Sequence, residues 1–299
     1  MKIHEYSPFF NENAVLEIKL REAARWIDTV HLCEADRTFS NAAKVWNYPG
    51  FAERASALTT GVDYQRLNVE RIFRTTTANP IYKDPVGHCA DGFDGWYWEL
   101  LRGNAAYHNE AAQRNWATRQ LAEQVGDDDI VILSDVDEIL DSRHAEMIVD
   151  SARKYGIITV KLYFSAFYLN LFSSANHGAA DFAYRIYVMT GRHFRTLPFT
   201  PDYLRKRGIE GGFIGMIPCL EEPAGFHHSW LEHRRKAYSK LKAFEENVAD
   251  RSVIHPAFAD RCLAARRLEH LDADLSVDNT KPFLRALKDM DTSDLWLDR

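Results

Sequence analysis

The sequence is poor in the features that usually settle a function at a glance. Its four cysteines, Cys33, Cys89, Cys219 and Cys262, are too widely spaced for a C-x-x-C metal site and too few to staple a chain of 299 residues. They read as free, partly buried thiols in a reducing compartment. No apolar run reaches the roughly 20 residues that span a bilayer, and polar Asn11-Glu12-Asn13 interrupts any leader-like opening. A cytoplasmic protein is the expectation. Positive charge is not in excess, since 37 Lys and Arg face 43 Asp and Glu for a net charge of -6. The basic runs Arg205-Lys206-Arg207, Arg234-Arg235-Lys236 and Arg266-Arg267 are short and scattered, which argues against a nucleic-acid partner. No internal repeat, low-complexity tract or clear linker divides the chain.

What is present is a globular composition, 46% hydrophobic and 27% charged, enough for one large α/β domain or two small ones. Seventeen Phe, thirteen Tyr and seven Trp supply core, and could supply sugar-stacking surfaces. The pattern centres on Asp127 to Ile139. There Ile130-Val131-Ile132-Leu133 is an unbroken apolar run, the mark of a strand buried on both faces. It ends on Ser134-Asp135-Val136-Asp137-Glu138. Carboxylates at the carboxyl end of such a strand sit at the crevice where open sheets bind ligands. Asp135 and Asp137, one residue apart, can converge on a hard divalent cation shared with a substrate's phosphates. The competing reading is an acidic loop that leads into a helix capped at Asp141-Ser142.

Around that stretch the chain alternates strand and helix. Ile3 to Tyr6 and Val30 to Cys33 read as strands, and between them a helix from about Glu12 to Trp26 carries Leu16, Leu20, Ala23 and Ile27. This is how a βαβ sheet begins. Leu67 to Phe73 alternates like a strand, and Thr75 to Gly95, rich in Thr, Pro, Gly and Asp, reads as a long surface loop. Trp96 to about Val125 is mainly helical, with Tyr107, Glu110, Arg114 and Thr118 on one face. Beyond Ile139 come a helix from Ser142 to Tyr155, strands over Ile157 to Tyr163 and Tyr184 to Met189, and a short strand after the turn at Pro223-Ala224-Gly225. Helices over Glu232 to Phe244, Phe258 to Leu271 and Pro282 to Lys288 complete the reading.

Five segments, in order, carry a family resemblance: Pro8-Phe9-Phe10-Asn11-Glu12, Asp36-Arg37-Thr38-Phe39-Ser40, Glu110-Ala111-Ala112-Gln113-Arg114-Asn115, the Ile132 to Ile139 stretch, and Gly225-Phe226-His227-His228-Ser229-Trp230 before a Lys-containing segment. Together they resemble the glycosyltransferase family typified by the bisecting β-1,4-N-acetylglucosaminyltransferase of N-glycan synthesis (family 17). The resemblance implies a single α/β domain of the GT-A type over residues 1–249, with a central mixed, mostly parallel sheet flanked by helices. Residues 250–299 are then a helical C-terminal extension packed on the same domain. It also implies an inverting transferase that depends on Mn2+ or Mg2+ and takes a nucleoside diphosphate sugar, a UDP-sugar first, for transfer to a glycan or other hydroxyl. The chain departs from the family pattern at Leu231-Glu232-His233, where a glycine-containing turn is common, so the acceptor side is expected to differ, and at Glu245-Glu246, where Ser-His often follows, so any role of that His is missing or met elsewhere.

On this reading Asp137 binds the metal, Asp135 shares it or holds the ribose, and His227, ahead of His228, is the remote third ligand. Glu138 points away from its neighbour and steadies a supporting group or an acceptor hydroxyl. Arg114 and Lys240 or Lys242 meet the diphosphate, while Asn11, Glu34 and Arg37 line the nucleotide pocket. Inversion by direct displacement needs a general base. Glu221, held between Pro218 and Pro223, leads Glu138, Glu210, Glu222 and Asp202 for that role, with Asp181 and Asp94 also open. Three alternatives compete. A sugar-phosphate nucleotidylyltransferase would want a Gly-rich phosphate loop where Phe9-Phe10-Asn11-Glu12 stands. A non-catalytic sugar-binding protein would have lost Asp135 or Asp137. A transferase acting on modified nucleic acid has only the short basic runs in its favour.

Overall fold

The computed structural model describes residues 1–39, 42–68, 105–174, 184–231 and 254–297. In chain order they form β1 (Ile3–Phe9), α1 (Asn13–Ala23), β2 (Thr29–Ala35), α2 (Tyr48–Arg54), β3 (Val62–Leu67), α3 (Ala105–Leu121), β4 (Ile130–Leu133), β5 (Glu138–Leu140) and α4 (Ala145–Tyr155). Next come β6 (Ile157–Thr159), β7 (Tyr163–Ala166), β8 (Leu171–Ser173), β9 (Tyr187–Thr190), α5 (Gly191–Thr196) and α6 (Pro201–Ile209). The described chain ends with β10 (Gly225–Ser229), α7 (Phe258–Ala265), β11 (Arg267–Leu268), β12 (Ala273–Val277) and short 3-10 turns.

Ile130, Val131 and Ile132 are wholly buried, as an apolar run without alternation requires. Their strand, β4, is internal to a six-stranded sheet of order β3-β2-β1-β4-β9-β6. β3, β2, β1 and β4 run parallel, β9 returns antiparallel beside β4, and β6 lies antiparallel to β9. α1 crosses from β1 to β2 and buries Val15, Leu16, Ile18 and Leu20. α4 buries Ile148, Val149 and Ala152. It ends at Gly156, where φ is 81° and a Cβ would lie 2.0 Å from the His193 ring.

A second six-stranded sheet has the order β11-β12-β8-β7-β10-β5, with only β7 and β10 parallel. The expected single central GT-A sheet is therefore corrected: two distinct mixed sheets form. The reason lies in residues 134–137. The chain leaves the carboxyl end of β4, turns through these residues and enters β5, which pairs with β10 rather than extending the first sheet. The strands of the second sheet are two to five residues long, too short for their periodicity to announce a sheet. The tail also differs from the helical extension expected, because β11 and β12 give it two strands of that sheet beside α7.

The two sheets share apolar packing. Ile130, Ile132, Ile158 and Val188 of the first meet Leu140, Leu162 and Ala224 beside the second. At Gly225 the approach of β10 to β5 is so close that a Cβ would lie 2.4 Å from the Ile139 carbonyl oxygen. A strand that was not anticipated forms at Val62–Leu67, and the strand expected over Leu67 to Phe73 lies, beyond Asn68, outside the described residues. The loop expected over Thr75 to Gly95, the start of the following helix and the Glu232 to Phe244 helix lie outside the described residues. Among the described residues, no helix is long and apolar enough to cross a membrane, and Cys33, Cys219 and Cys262 form no disulfide.

Candidate functional site

The carboxyl ends of β1 and β4 open onto a cleft of about 250 Å³, lined by Phe10, Phe39, Arg114, Asp135, Asp137 and His227 among others. This is the edge at which open sheets bind ligands. α3 is fastened across the strand ends. The Gln113 side-chain amide donates to the Cys33 and Phe9 carbonyls at 2.7 and 3.2 Å, and the Tyr6 hydroxyl donates to the Gln113 carbonyl at 2.5 Å. That places Arg114, the next residue, beside Asp135. α6 is set from the other side. Thr200 caps it by accepting the Tyr203 N–H, Pro201 occupies its first turn, and Asn115 accepts the Asp202 N–H at 2.9 Å. Arg205 and Lys206 are thereby buried toward α3 and the turn after β4.

Asp135 is held between two guanidiniums. Arg114 grips it bidentately, with Nη1 on Oδ1 and Nη2 2.8 Å from Oδ2, and Arg205 Nη2 reaches Oδ2 at 2.7 Å. Arg205 also forks onto Glu138 at 2.8 and 2.9 Å, and Glu138 accepts the Asp135 backbone N–H at 2.8 Å. Arg114 contacts Glu110 at 3.2 Å, and Lys206 bridges Glu110 at 3.2 Å and Asp202 at 2.7 Å. Burial disfavours the charged form of Asp135, but the Arg114 and Arg205 charges outweigh it and hold the carboxyl well below the usual range. Glu138 is lowered in the same way, with burial opposed chiefly by Arg205. Partly buried Arg185 also lines the cleft; burial first and the Arg205 charge second bring it down to about 10.

Across the cleft, Asp137 Oδ2 lies 3.6 Å from His227 Nε2, which is 3.0 Å from Ser229 Oγ. β10 pairs His227 with Glu138, and the His228 N–H donates to the Asp137 carbonyl at 2.8 Å. His228 does not line the cleft. Its Nδ1 meets Ser165 Oγ at 2.7 Å, and burial, aided by the His227 charge, lowers it to about 3. The expected metal set of Asp135, Asp137 and His227 is corrected. Among the described residues, no three His, Cys, Asp or Glu side chains form a group that could hold a metal ion. The physical reason is that both Asp135 oxygens are taken by Arg114 and Arg205, so the D-x-D spacing does not gather its carboxylates into one ligand set.

The other anticipated residues fall in different places. Glu34 is wholly buried and accepts hydrogen bonds from Lys44, Asn47, Tyr48 and Tyr64, so its oxygens organise the loop after β2. Asn11 follows β1, its N–H donating to Glu12 at 3.0 Å, and Arg37 bridges to Ala43 within the loop after β2. Glu221 and Glu210 are exposed and do not line the cleft; Glu210 lies 3.5 Å from Arg207. Lys240, Lys242, Asp181 and Asp94 lie outside the described residues. Arg185 and the structural use of Arg205 and Lys206 had no distinctive signal in the sequence. The Asp202 and Lys206 spacing of four was the one hint that this basic run faces inward.

No family model matches the chain, so the motif resemblance stands without one. No curated protein matches it either. Among solved structures, S. aureus TarS 1–349 in complex with UDP-GlcNAc is 10% identical over 88% of this chain and 73% of its own, with a TM-score of 0.42. The galactosyltransferase LgtC with donor and acceptor sugar analogs is 11% identical over 99% and 94%, at 0.34. The glycosyltransferase GlyE of Streptococcus pneumoniae TIGR4 is 10% identical over 94% and 66%, at 0.37. These scores are too low to carry an argument about family or function.

Proposed function

We propose that the chain is a glycosyltransferase that binds a nucleoside diphosphate sugar in the cleft and passes the sugar, with inversion, to a hydroxyl of a glycan or similar acceptor. UDP-N-acetylglucosamine is the donor to try first. The observation that carries the reading is the convergence of Arg114, Arg185 and Arg205 with Asp135 and Asp137 beyond the ends of β1 and β4. Guanidinium forks match phosphate oxygens as they match carboxylates. Arg185, disfavoured as a cation by burial and by Arg205, gains from an anion placed beside it. Phe10 and Phe39 offer flat faces for a base or a sugar. We assign the acceptor hydroxyl's proton to Asp137, which faces the cleft beside His227. Glu138 is engaged by Arg205, and Glu221 and Glu210 are on the outer surface. β1 runs into Pro8-Phe9-Phe10-Asn11-Glu12 without a Gly-rich phosphate loop, which disfavours the nucleotidylyltransferase alternative.

The test is a calorimetric titration of a nucleotide-sugar panel, with release of free nucleoside diphosphate followed in parallel. Wild type is expected to bind at least one donor, and Arg185→Ala to weaken that donor by about tenfold through loss of one charge-assisted contact. Asp137→Asn should keep donor affinity while losing about 100-fold in transfer. A wild type that binds none of the panel ends this reading.

A further inference from the structure

Among the apolar residues on the buried face of α1 stands a lysine. Lys19 is 1% exposed and sits between buried Ile18 and Leu20, and its partner on β1, Glu5, is 2% exposed. Its ammonium lies 2.7 Å from Glu5 Oε1 and donates to Ser134 Oγ at 2.9 Å, the Glu138 carbonyl at 2.8 Å and the Asp135 carbonyl at 3.1 Å. Ser134 closes the group by donating to Glu5 Oε1 at 2.7 Å, with Ser7 Oγ 3.1 Å away. An ammonium has three protons and no lone pair, so these oxygens use all of its capacity. A pair kept only to neutralise Glu5 would have no need of the rest. Two of the contacts are main-chain carbonyls on either side of Val136 and Asp137, within the turn that carries the chain from one sheet to the other. Such contacts fix backbone position whatever side chains the turn bears.

We propose that Lys19 is a positioning residue for the cleft, its ammonium clamping the Ser134 to Glu138 turn so that Asp135 meets Arg114 and Arg205 while Asp137 meets His227. The functional part of this inference rests on the transferase reading above; the clamp itself does not.

Two single substitutions separate clamping from simple charge pairing. Glu5→Gln removes the ion pair but keeps an oxygen for Lys19 and all three contacts to the turn. Lys19→Met removes the ion pair and those contacts at similar volume. Both variants should lower the melting temperature. The dissociation constant for UDP-N-acetylglucosamine should rise about tenfold or more in Lys19→Met and stay within about threefold in Glu5→Gln. Hydrogen exchange at the amides of Val136 to Ile139 should accelerate in Lys19→Met alone. Equal changes in the two variants would overturn the clamp. If wild type binds no nucleotide sugar, the transferase reading fails and the exchange comparison alone decides the clamp. If Lys19→Met does not fold, Lys19→Met/Glu5→Leu replaces the pair with apolar groups and takes its place in both measurements.

Discussion

Glu34 takes hydrogen bonds from the Lys44 ammonium at 2.5 Å, the Asn47 and Tyr48 N–H groups at 2.7 and 3.1 Å, and the Tyr64 hydroxyl at 2.8 Å. A carboxylate at the carboxyl end of a strand reads in sequence as a ligand-facing group, and nothing local distinguishes it from one that holds the following loop. The difference depends on donors 10 to 30 residues away, which only folding brings together. Replacing it by Ala takes the carboxylate from Lys44, which keeps only the Ala35 and Val45 carbonyls, and removes the acceptor of the Asn47 and Tyr48 N–H groups. Glu34→Ala is therefore expected to lose about 3–5 kcal/mol of stability, the range for breaking one side of a buried pair, as read by urea unfolding. A variant as stable as wild type would show that the loop is held by other contacts. Arg114 is the opposite case, because its helix and its spacing from Glu110 were both legible and it does reach the cleft.

At the scale of elements, β1, β2 and β3 bring a buried chain of imidazoles together beneath α3. His31 Nδ1 lies 3.0 Å from Asp63 Oδ2, and His31 Nε2 lies 3.1 Å from His4 Nδ1. With the Asp63 carboxylate as acceptor, His31 donates from Nδ1 and accepts at Nε2, so His4 donates from Nδ1 and leaves its Nε2 facing Asp129 at 3.9 Å. Burial, opposed by Asp129 for His4 and by Asp63 for His31, lowers both below the ordinary value of 6.5. The folded state therefore holds fewer protons on these rings than the unfolded chain does. Their contribution to stability is complete above pH 6.5 and is lost as pH falls below it toward the lowered values. Urea midpoints measured between pH 7.5 and 5 should fall for wild type and fall less for His4→Gln; parallel slopes would remove these rings from the account. The strands themselves were legible, because β4 is an unbroken apolar run and the segments around Ile3 to Tyr6 and Val30 to Cys33 flank a helical pattern. Their side-by-side order was not, since adjacency in a sheet leaves no mark in a single sequence.

At the scale of the whole molecule, β5 leaves the first sheet's strand β4 and joins the second, and Leu140, Leu162 and Ala224 share a core with Ile130, Ile158 and Val188. The two sheets are thus expected to unfold together. Far-ultraviolet circular dichroism and tryptophan fluorescence should give coincident urea transitions, and a resolved second transition would show the sheets to be separable. The second sheet escaped the sequence reading because it is assembled from residues 138–277 in strands too short to show a period.

The guanidinium and carboxylate groups around Asp135 satisfy one another. An anion that enters beside Arg185 meets the Arg114 and Arg205 forks already engaged. It must trade places with a carboxylate, one fork at a time, and the displaced Asp135 must find another donor or water. Capture at such a place is governed by a swap of partners at short range rather than by attraction from afar. Ionic strength, which screens exposed charges over about a Debye length, then has little hold on it, and the fit of the incoming group to the two forks decides what is admitted.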